Sequence, residues 1–481
     1  MGGKMFKNYE EVNAYLNEEN VELIDFKLLD LDGRWHHLTI TTNKFSREVI
    51  EDGIGFDGSS YGFLTVEKSD MVFKPDISTA FIDPFAKANT LVMLTNIYSI
   101  NGNNHERFEG DPRYIAKKAE KHMQDEDIAT RSSFGPEFEF YLFDDVKYST
   151  TPHHFGVEMS NSNAKWNSNN PEENNKGFII QHHGGYHVDL PFDKDKDLRD
   201  EMVLMLEDKD IPIKYHHSEV GGPGQMEIEV DFADTLEIAD RTMKLKYIAK
   251  NLAVKKGKTI TFMPKPFNKE AGNGMHVHFH LFKDGEPIFY DENGYSGLSD
   301  IGLYAIGGIL KHASALLAIT NPSTNSYKRL VPGYEAPVSI CFATSNRSAV
   351  IRIPGYAIKP MKKRFEFRSS DATANPYLAY SALLMAAIDG IKNKIDPEAE
   401  GFGPYDVNIF DLPEEEKEKI KSLPRTLEEA ALALKEDHDF LLAGNVFTKG
   451  LINDIIEKDL RDHKEMSIIP TAHEFKKYYD L

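Results

Sequence analysis

Three histidines, His276, His278 and His280, occupy every second position of "GMHVHFHLF", with Val277, Phe279 and Leu281 between them. In a strand, successive side chains point to opposite faces, so the three imidazoles share one face at about 7 Å per step. His276 and His280 are therefore too far apart to ligate one ion, and adjacent members strain to do so; at most one serves a given metal. Carboxylates repeat the pattern: Glu137 and Glu139 in "PEFEF", Glu227, Glu229 and Asp231 in "EIEVD", and Glu366 between Arg364 and Arg368 in "RFEFR". The bulky apolar residues that alternate with them demand burial on the reverse face. A solvated outer sheet face explains any one of these strands, but not all of them together. A sheet closed around a cavity would aim the charges inward. Gathered carboxylates repel one another in a low dielectric, and hard cations such as Mg²⁺ or Mn²⁺ relieve that repulsion. A single imidazole among many carboxylates suits those ions better than a structural Zn²⁺, to which a chain with one cysteine lends little support. Arg329, Arg347 and Arg352 add guanidinium forks, which pair with phosphate and carboxylate. Metals and arginines in one cavity suggest phosphoryl transfer involving a carboxylate. Neither a Walker-type phosphate loop nor a G-x-G-x-x-G turn occurs, so a nucleotide would need a different cradle.

Two groups of elements must position these residues. The first hundred residues alternate in short runs such as "VELIDFKLLDLDGRWHHLTI" and "NTLVMLTNIYSI", which predict strands joined by Gly and Asp turns in a small sheet-rich domain. A break at "NGNNHERFEGDPR" precedes "YIAKKAEKHMQDEDI", which has helical spacing, and the domain boundary falls there. The charged strands follow, separated by helical segments. The stretch from Lys147 to Lys176, rich in Asn, Ser and His, predicts a surface loop or insertion; His153 and His154 within it lack partners at a convincing metal spacing. Near the C-terminus Phe475, Tyr478 and Tyr479 form an apolar helical face suited to packing on a neighbour.

At 481 residues the chain exceeds an ordinary single core, which predicts one large domain with a smaller companion. Its formal charge of −21 argues against nucleic acid and anionic membranes as general partners. The longest apolar run, "SALLMAAI", is too short to span a bilayer and predicts a buried helix. A lone Cys341 suits a reducing compartment, and the N-terminus has no apolar signal core, so a soluble, cytoplasmic protein is the expectation.

"FDGSS", "FGPEFEFYLF", "SEVGGPGQMEIE", "TFMPKP", "GMHVH", "NPSTNSYKRLVPGYEAP", "NRSAVIRIP", "RFEFRSSDATANPYLA" and "DGIKNKI" appear in an order and spacing that resemble the type I glutamine synthetases, from about residue 15 to the C-terminus. The resemblance implies an α+β protein: a small N-terminal β-grasp domain over residues 15–108, and a catalytic domain over 109–481 whose antiparallel sheet lines a funnel-shaped site. It implies a homo-oligomer of two stacked hexameric rings with sites between subunits. The implied reaction transfers phosphate from ATP to the γ-carboxylate of L-glutamate, and ammonia then displaces it. By family position Glu139, Glu219 and Glu227 resemble the ligands of one Mg²⁺ or Mn²⁺, and Glu137, His276 and Glu366 those of a second. Arg347 and Arg352 would stabilise the transferring phosphoryl group, while Arg329, Arg368, Gly272 and His278 would hold glutamate. Asp57 resembles the residue that deprotonates ammonium, in a pocket completed by Ser60, Tyr186, Glu219 and Glu335, the last in a flap that excludes water. His217, Phe232 and the neighbourhood of His278 and His280 resemble nucleotide contacts.

The chain departs from the family pattern in places. The motif N-G-S-G-M-H reads Ala271-Gly272-Asn273-Gly274-Met275-His276, which removes an amide expected to touch glutamate; Asn273 is the candidate substitute. Lys214 stands where several relatives carry Glu. The Lys147–Lys176 insertion resembles the longer bacterial subtype, whose members are often adenylylated on a Tyr in "N-L-Y-D-L-P". Here the loop reads "VNIFDLP", and Phe410 offers no phenolic oxygen for that modification. Within the same fold the rival function is a γ-glutamyl ligase for a larger amine such as a polyamine, which the ammonium pocket disfavours. A structural relative without catalysis would have lost metal ligands, and a metal-dependent hydrolase leaves the arginines unexplained.

Overall fold

The computed structural model describes residues 5–63, 69–102, 104–168, 177–331, 336–407 and 412–480. Two sheets organise them. The first carries β1 (Leu23–Leu29), β2 (Trp35–Thr41), β3 (Ile54–Asp57), β4 (Asp70–Ile82), β5 (Thr90–Asn101) and β6 (Asn104–Arg107), in the order β2-β1-β5-β4-β3 with β6 alongside β5. One face covers a compact core of Ile24, Phe26, Met71, Phe73 and Met93. That core also takes in Phe6 and Val12, the latter from helix Tyr9–Glu18, so this packing unit begins ahead of residue 15.

The second sheet is built from β7 (Arg131–Phe143), β10 (Ile213–Ser218), β11 (Gln225–Val230), β12 (Thr259–Thr261), β13 (Met275–Lys283), β14 (Glu286–Pro287), β15 (Ser339–Thr344), β16 (Ala349–Ile353) and β17 (Phe365–Phe367). Its order is β10-β11-β7-β13-β17-β16-β15. Every pairing is antiparallel except β15–β16 at the sheet's edge, so the antiparallel sheet expected carries one parallel pair. At Ser345, φ of 60° turns the chain back between these two strands. Phe134, Phe138, Phe140, Val277, Phe279 and Phe365 point from the apolar face into the main core. Helix Pro376–Asn393, which carries "SALLMAAI", runs through that core with almost every side chain buried. It crosses helix Asp300–Lys311 where Gly308 and Gly390 meet; a Cβ on Gly308 would lie 2.6 Å from Gly390 Cα, so both positions need glycine.

The domains are clasped by Arg113, the second residue of helix Pro112–Asp125, which Asp111 caps. Its guanidinium donates to Asp76 (3.2 Å) and Asn96 (2.8 Å) on the small sheet, and to both oxygens of Asp240 (3.0 and 2.8 Å) on helix Thr235–Lys255. A second tie is the β1–β2 turn, where Gly33 (φ 76°) lets the backbone press against Asn375, whose amide donates to the Asp30 and Leu31 carbonyls.

The stretch from Lys147, expected as a surface loop or insertion, contains a hairpin of β8 (Asp145–Thr151) and β9 (His154–Ser160). Solvent bathes most of it, so its sequence carries no apolar alternation to announce the strands. Phe155 on this hairpin packs against Phe475 of the C-terminal helix Ala472–Tyr478, with ring centroids 5.6 Å apart. Tyr478 and Tyr479 remain exposed. Phe410 lies outside the described residues. Among the described residues no single helix is long and apolar enough to cross a membrane.

Candidate active site

Strand register brings the separate charged runs together. Across neighbouring strands His217 faces Glu227 and Glu227 faces Glu139; one step along, Glu229 faces Glu137 and Glu137 faces His276. Continuing across the sheet, His278 faces Glu366, and Glu366 faces Arg352. Directly opposed residues stand about 5 Å apart, so pairing across six strands converts local alternation into one continuous acid–base row. A cavity of about 690 Å³ opens over it, lined by Glu137, Glu139, Glu219, Glu227, His276 and His217 on the floor. Tyr186, Ala271, Gly272, Arg329, Arg347, Arg352 and Arg368 stand around its walls.

The row has two electrostatic halves. In one, His276 Nδ1 lies 3.1 Å and His278 Nε2 2.9 Å from Glu137, while Arg352 Nε (2.5 Å) and Arg368 (2.7 Å) donate to Glu366. Burial alone would raise both carboxyls. The histidines instead hold Glu137 well below the usual range, and Arg368 and Arg352 bring Glu366 down to about 2 despite the charge of Glu137. In the other half positive charge is short: burial, then Glu139 and Glu227, push Glu219 up to about 8, and burial with four neighbouring carboxylates raises Glu227 strongly. Glu219 Oε2 is buried with no hydrogen bond. Carboxylate oxygens crowded this way are a donor set that fits hard divalent cations. Glu137, His276 and Glu366 place ligand atoms within 4.8 Å of one another, as do His217, Glu219 and Glu227. Glu139 lies between these groups: one oxygen accepts the Gly274 N–H at 2.7 Å, and the other is 3.8 Å from His276 Nε2.

The remaining expected residues divide by position. Arg329 is buried, donates to the Ser369 (2.8 Å) and Arg368 (3.1 Å) carbonyls, and lies 3.3 Å from His276. Gly272 cannot carry a side chain, because a Cβ would meet the Pro264 carbonyl at 2.5 Å and Arg329 Cγ at 2.8 Å. His278, expected at the substrate, is fully buried behind Glu137 and does not line the cavity. His280 touches Phe232 (ring centroids 4.9 Å), and burial followed by Arg364 and Arg131 depresses it to about 3. Arg364 lies over the Phe232 ring at 5.5 Å and the Tyr356 ring at 5.6 Å, forming an aromatic–cation slot outside the row. Asp57 and Ser60 are exposed on the small domain and absent from the cavity lining of their own chain. Ser59 and Ser60 hydroxyls at 2.7 and 2.8 Å, with the Ser59 N–H, hold the Asp57 carboxyl down at about 2. Glu335 lies outside the described residues.

Sequence reasoning grouped Glu229 with Glu227 but gave it no role. It is wholly buried, paired with Lys214 at 2.5 Å and 3.9 Å from His278, so the Lys214 departure compensates a carboxylate at the edge of the row. Asn273 does not replace the amide missing at Ala271. Its own side chain donates to the Met263 carbonyl (2.9 Å) and accepts from Gln225 (3.0 Å), turned away from the cavity.

A family model for the glutamine synthetase catalytic domain matches residues 109–478, and one for the glutamine synthetase beta-Grasp domain matches residues 20–100. The chain belongs to the glutamine synthetase family. Glutamine synthetase of Frankia alni is 46% identical over 480 residues, covering 99% of this chain and 100% of its own. That of Aquifex aeolicus is 46% identical over 474 residues, with 98% and 99% covered. A cryo-electron microscopy structure of Plasmodium falciparum glutamine synthetase superposes with a TM-score of 0.88 at 28% identity over the whole of both chains. The two sheets are therefore the β-grasp and catalytic domains of a glutamate–ammonia ligase, which makes glutamine with ATP. ATP and divalent metals belong to the chemistry of the glutamine synthetase family.

Proposed function

We propose that the acid–base row binds at least two Mg²⁺ or Mn²⁺ ions and supports glutamine formation through a γ-glutamyl phosphate. The carrying observation is the register that sets Glu137, His276 and Glu366 in one group and Glu219 and Glu227 in another, beneath four arginines. Glu139, Glu219 and Glu227 would hold one ion, and Glu137, His276 and Glu366 the other. When bound, these ions neutralise phosphate charge and polarise the transferring group.

The chain's own residues do the rest. Arg329 is pinned by backbone carbonyls and, with Arg368 and the Gly272 backbone, orients glutamate so that its γ-carboxylate meets ATP. Arg347 and Arg352 face the charge that develops on the phosphoryl oxygens, as preorganised donors. His217, Phe232 and His280 fall on the nucleotide side, and His278 acts from beneath by orienting Glu137. Activation is required because an amine does not displace oxide from a carboxylate, whereas phosphate is a competent leaving group. Asp57 removes a proton from ammonium bound among Ser60, Tyr186, Glu219 and Glu335, and Glu335 with its segment excludes water from the acyl phosphate.

Asp57 and Ser60 lie outside their own chain's cavity, which supports sites completed by a neighbouring subunit in a dodecamer of two hexameric rings. We assign the chain to the longer bacterial subtype, without the adenylylated tyrosine, acting in the cytoplasm, with the domain boundary at residues 108–109. Phosphate release from ATP and glutamate, with ammonia, hydroxylamine, ethanolamine and polyamines offered in turn, tests the acceptor. Ammonia is expected to be the best substrate; fastest release with a polyamine would reassign the chain to the larger-amine ligases.

A further inference from the structure

Outside the acid–base row, His182, His183 and Glu270 make a separate concentration of ligating atoms. The histidines belong to the segment that leads to Tyr186, and Glu270 directly precedes Ala271 and Gly272 on the cavity wall. His182 Nδ1 lies 2.5 Å from Glu270 Oε1, and His183 Nε2 lies 4.0 Å from Oε2. The imidazole rings are 3.9 Å apart, and one ligand atom from each residue falls within 4.8 Å of the others. Consecutive side chains ordinarily diverge; at His183 a left-handed backbone, φ 52°, accompanies two rings that face the same carboxylate. Glu270 is buried, and its Oε2 accepts the Gly222 N–H at 3.1 Å. The histidine side chains are 60% and 39% exposed, so an ion has a route in and a position left for water.

The geometry points to a third divalent-metal site, for an ion of the Zn²⁺ class, at His182, His183 and Glu270. Two imidazoles and one carboxylate form a borderline-soft set that suits Zn²⁺ or Co²⁺ over Mg²⁺, and an open tetrahedral position completes it. Metal–ligand bonds of roughly 2.0–2.2 Å require ligand atoms about 3.3 Å apart, so the two histidine–carboxylate spacings of 2.5 and 4.0 Å each need to change by less than about 1 Å. Ligation replaces two contacts, the hydrogen bond between His182 Nδ1 and Glu270 Oε1 at 2.5 Å and the one between His183 Nε2 and the Lys269 carbonyl at 3.0 Å. The bound ion would tie two walls of the cavity together, the segment carrying Tyr186 and His187 and the segment entering β13. This goes beyond the proposed reaction, because none of these residues belongs to the row or its arginines.

The test uses full-length protein stripped with a chelator and returned to excess Mg²⁺, which occupies the oxygen-rich groups. Zn²⁺ bound per chain is then counted by mass spectrometry after dialysis, and Co²⁺ reports four-coordinate imidazole ligation by its visible absorption. Wild type should retain one more Zn²⁺ per chain than His182→Ala/His183→Ala, whose solvent-facing substitutions leave the circular dichroism unchanged. Glu270→Gln should bind the extra ion roughly tenfold or more weakly, the loss that even an outer partner of a metal ligand causes. His153→Ala/His154→Ala, a histidine pair that meets no carboxylate among the described residues, should retain the full count. Equal Zn²⁺ in wild type and the double His182/His183 variant overturns the site, and does so whatever amine the enzyme prefers.

Discussion

Restoring an amide at position 271 is the most direct test of how this glutamine synthetase holds glutamate. Ala271 is buried and lines the cavity, while its carbonyl accepts the Tyr141 hydroxyl at 2.8 Å, so the backbone is anchored. Gly272 beside it has no room for a Cβ, and Asn273 is occupied by Met263 and Gln225. The side chain of residue 271 is thus the one open variable on this stretch of wall. A hydrogen bond to a charged group contributes about 1.5–3 kcal/mol, and ordering an Asn side chain subtracts part of that. A net gain of about 1.4 kcal/mol corresponds to roughly tenfold in affinity. Ala271→Asn should therefore lower the KM for glutamate roughly tenfold, with the KM for ATP and the thermal midpoint unmoved, in a phosphate-release assay at saturating ATP and ammonia. Asn273→Ala serves as the contrast: it should cost about 1–3 kcal/mol of stability by taking the donor from the buried Met263 carbonyl and one of the two acceptors from Gln225 Nε2. A folded Ala271→Asn enzyme with unchanged glutamate KM, or with both KM values moved alike, refutes the reasoning.

The interdomain clasp predicts that Arg113→Met, which strands Asp76 and Asp240 in the interior, lowers unfolding free energy in urea by about 3–5 kcal/mol. Adding Asp240→Asn should recover part of it, and a loss below about 1 kcal/mol would remove the clasp from the account. Sites shared between subunits predict that Asp57→Ala and Arg352→Ala chains, each inactive alone, regain up to about a quarter of wild-type activity when unfolded together and reassembled; persistent inactivity counts against sharing. Asp459 has both carboxylate oxygens buried without hydrogen bonds. Burial, opposed by Lys458 and reinforced by Asp462 and Asp32, raises it to about 8. Below about pH 4 it is protonated folded or unfolded, and nothing is lost. As pH rises towards 8 only the unfolded chain ionises, so wild type loses up to about 1.4 kcal/mol per pH unit. Asp459→Asn should escape this loss, and a stability gap between the two proteins that stays flat from about pH 5 to pH 8 would contradict a buried neutral carboxyl.

The sequence reveals what is periodic and hides what is paired. Alternation placed Glu137 with Glu139, Glu227 with Glu229 and His276 with His278 on single faces, because a strand's period of two is a local property. Which carboxylate meets which histidine depends on register between strands far apart in the chain, such as Glu137 opposite His276. The opposition between Lys214 and Glu229 was illegible for the same reason. The β8–β9 hairpin escaped notice because neither face is buried enough to demand apolar residues. Asn273 looked like a replacement amide because its two buried partners, Met263 and Gln225, leave no trace in the motif itself.

The row across the second sheet has a further implication for how the gene tolerates error. Each of its members is held by a direct cross-strand partner, so deleting or inserting one codon within β7, β11, β13 or β17 would turn the downstream half of that strand inside out. Carboxylates would enter the core as phenylalanines entered the cavity. An indel scan should accordingly show these strands as silent gaps with almost no survivors, while the β8–β9 hairpin accepts added or lost residues.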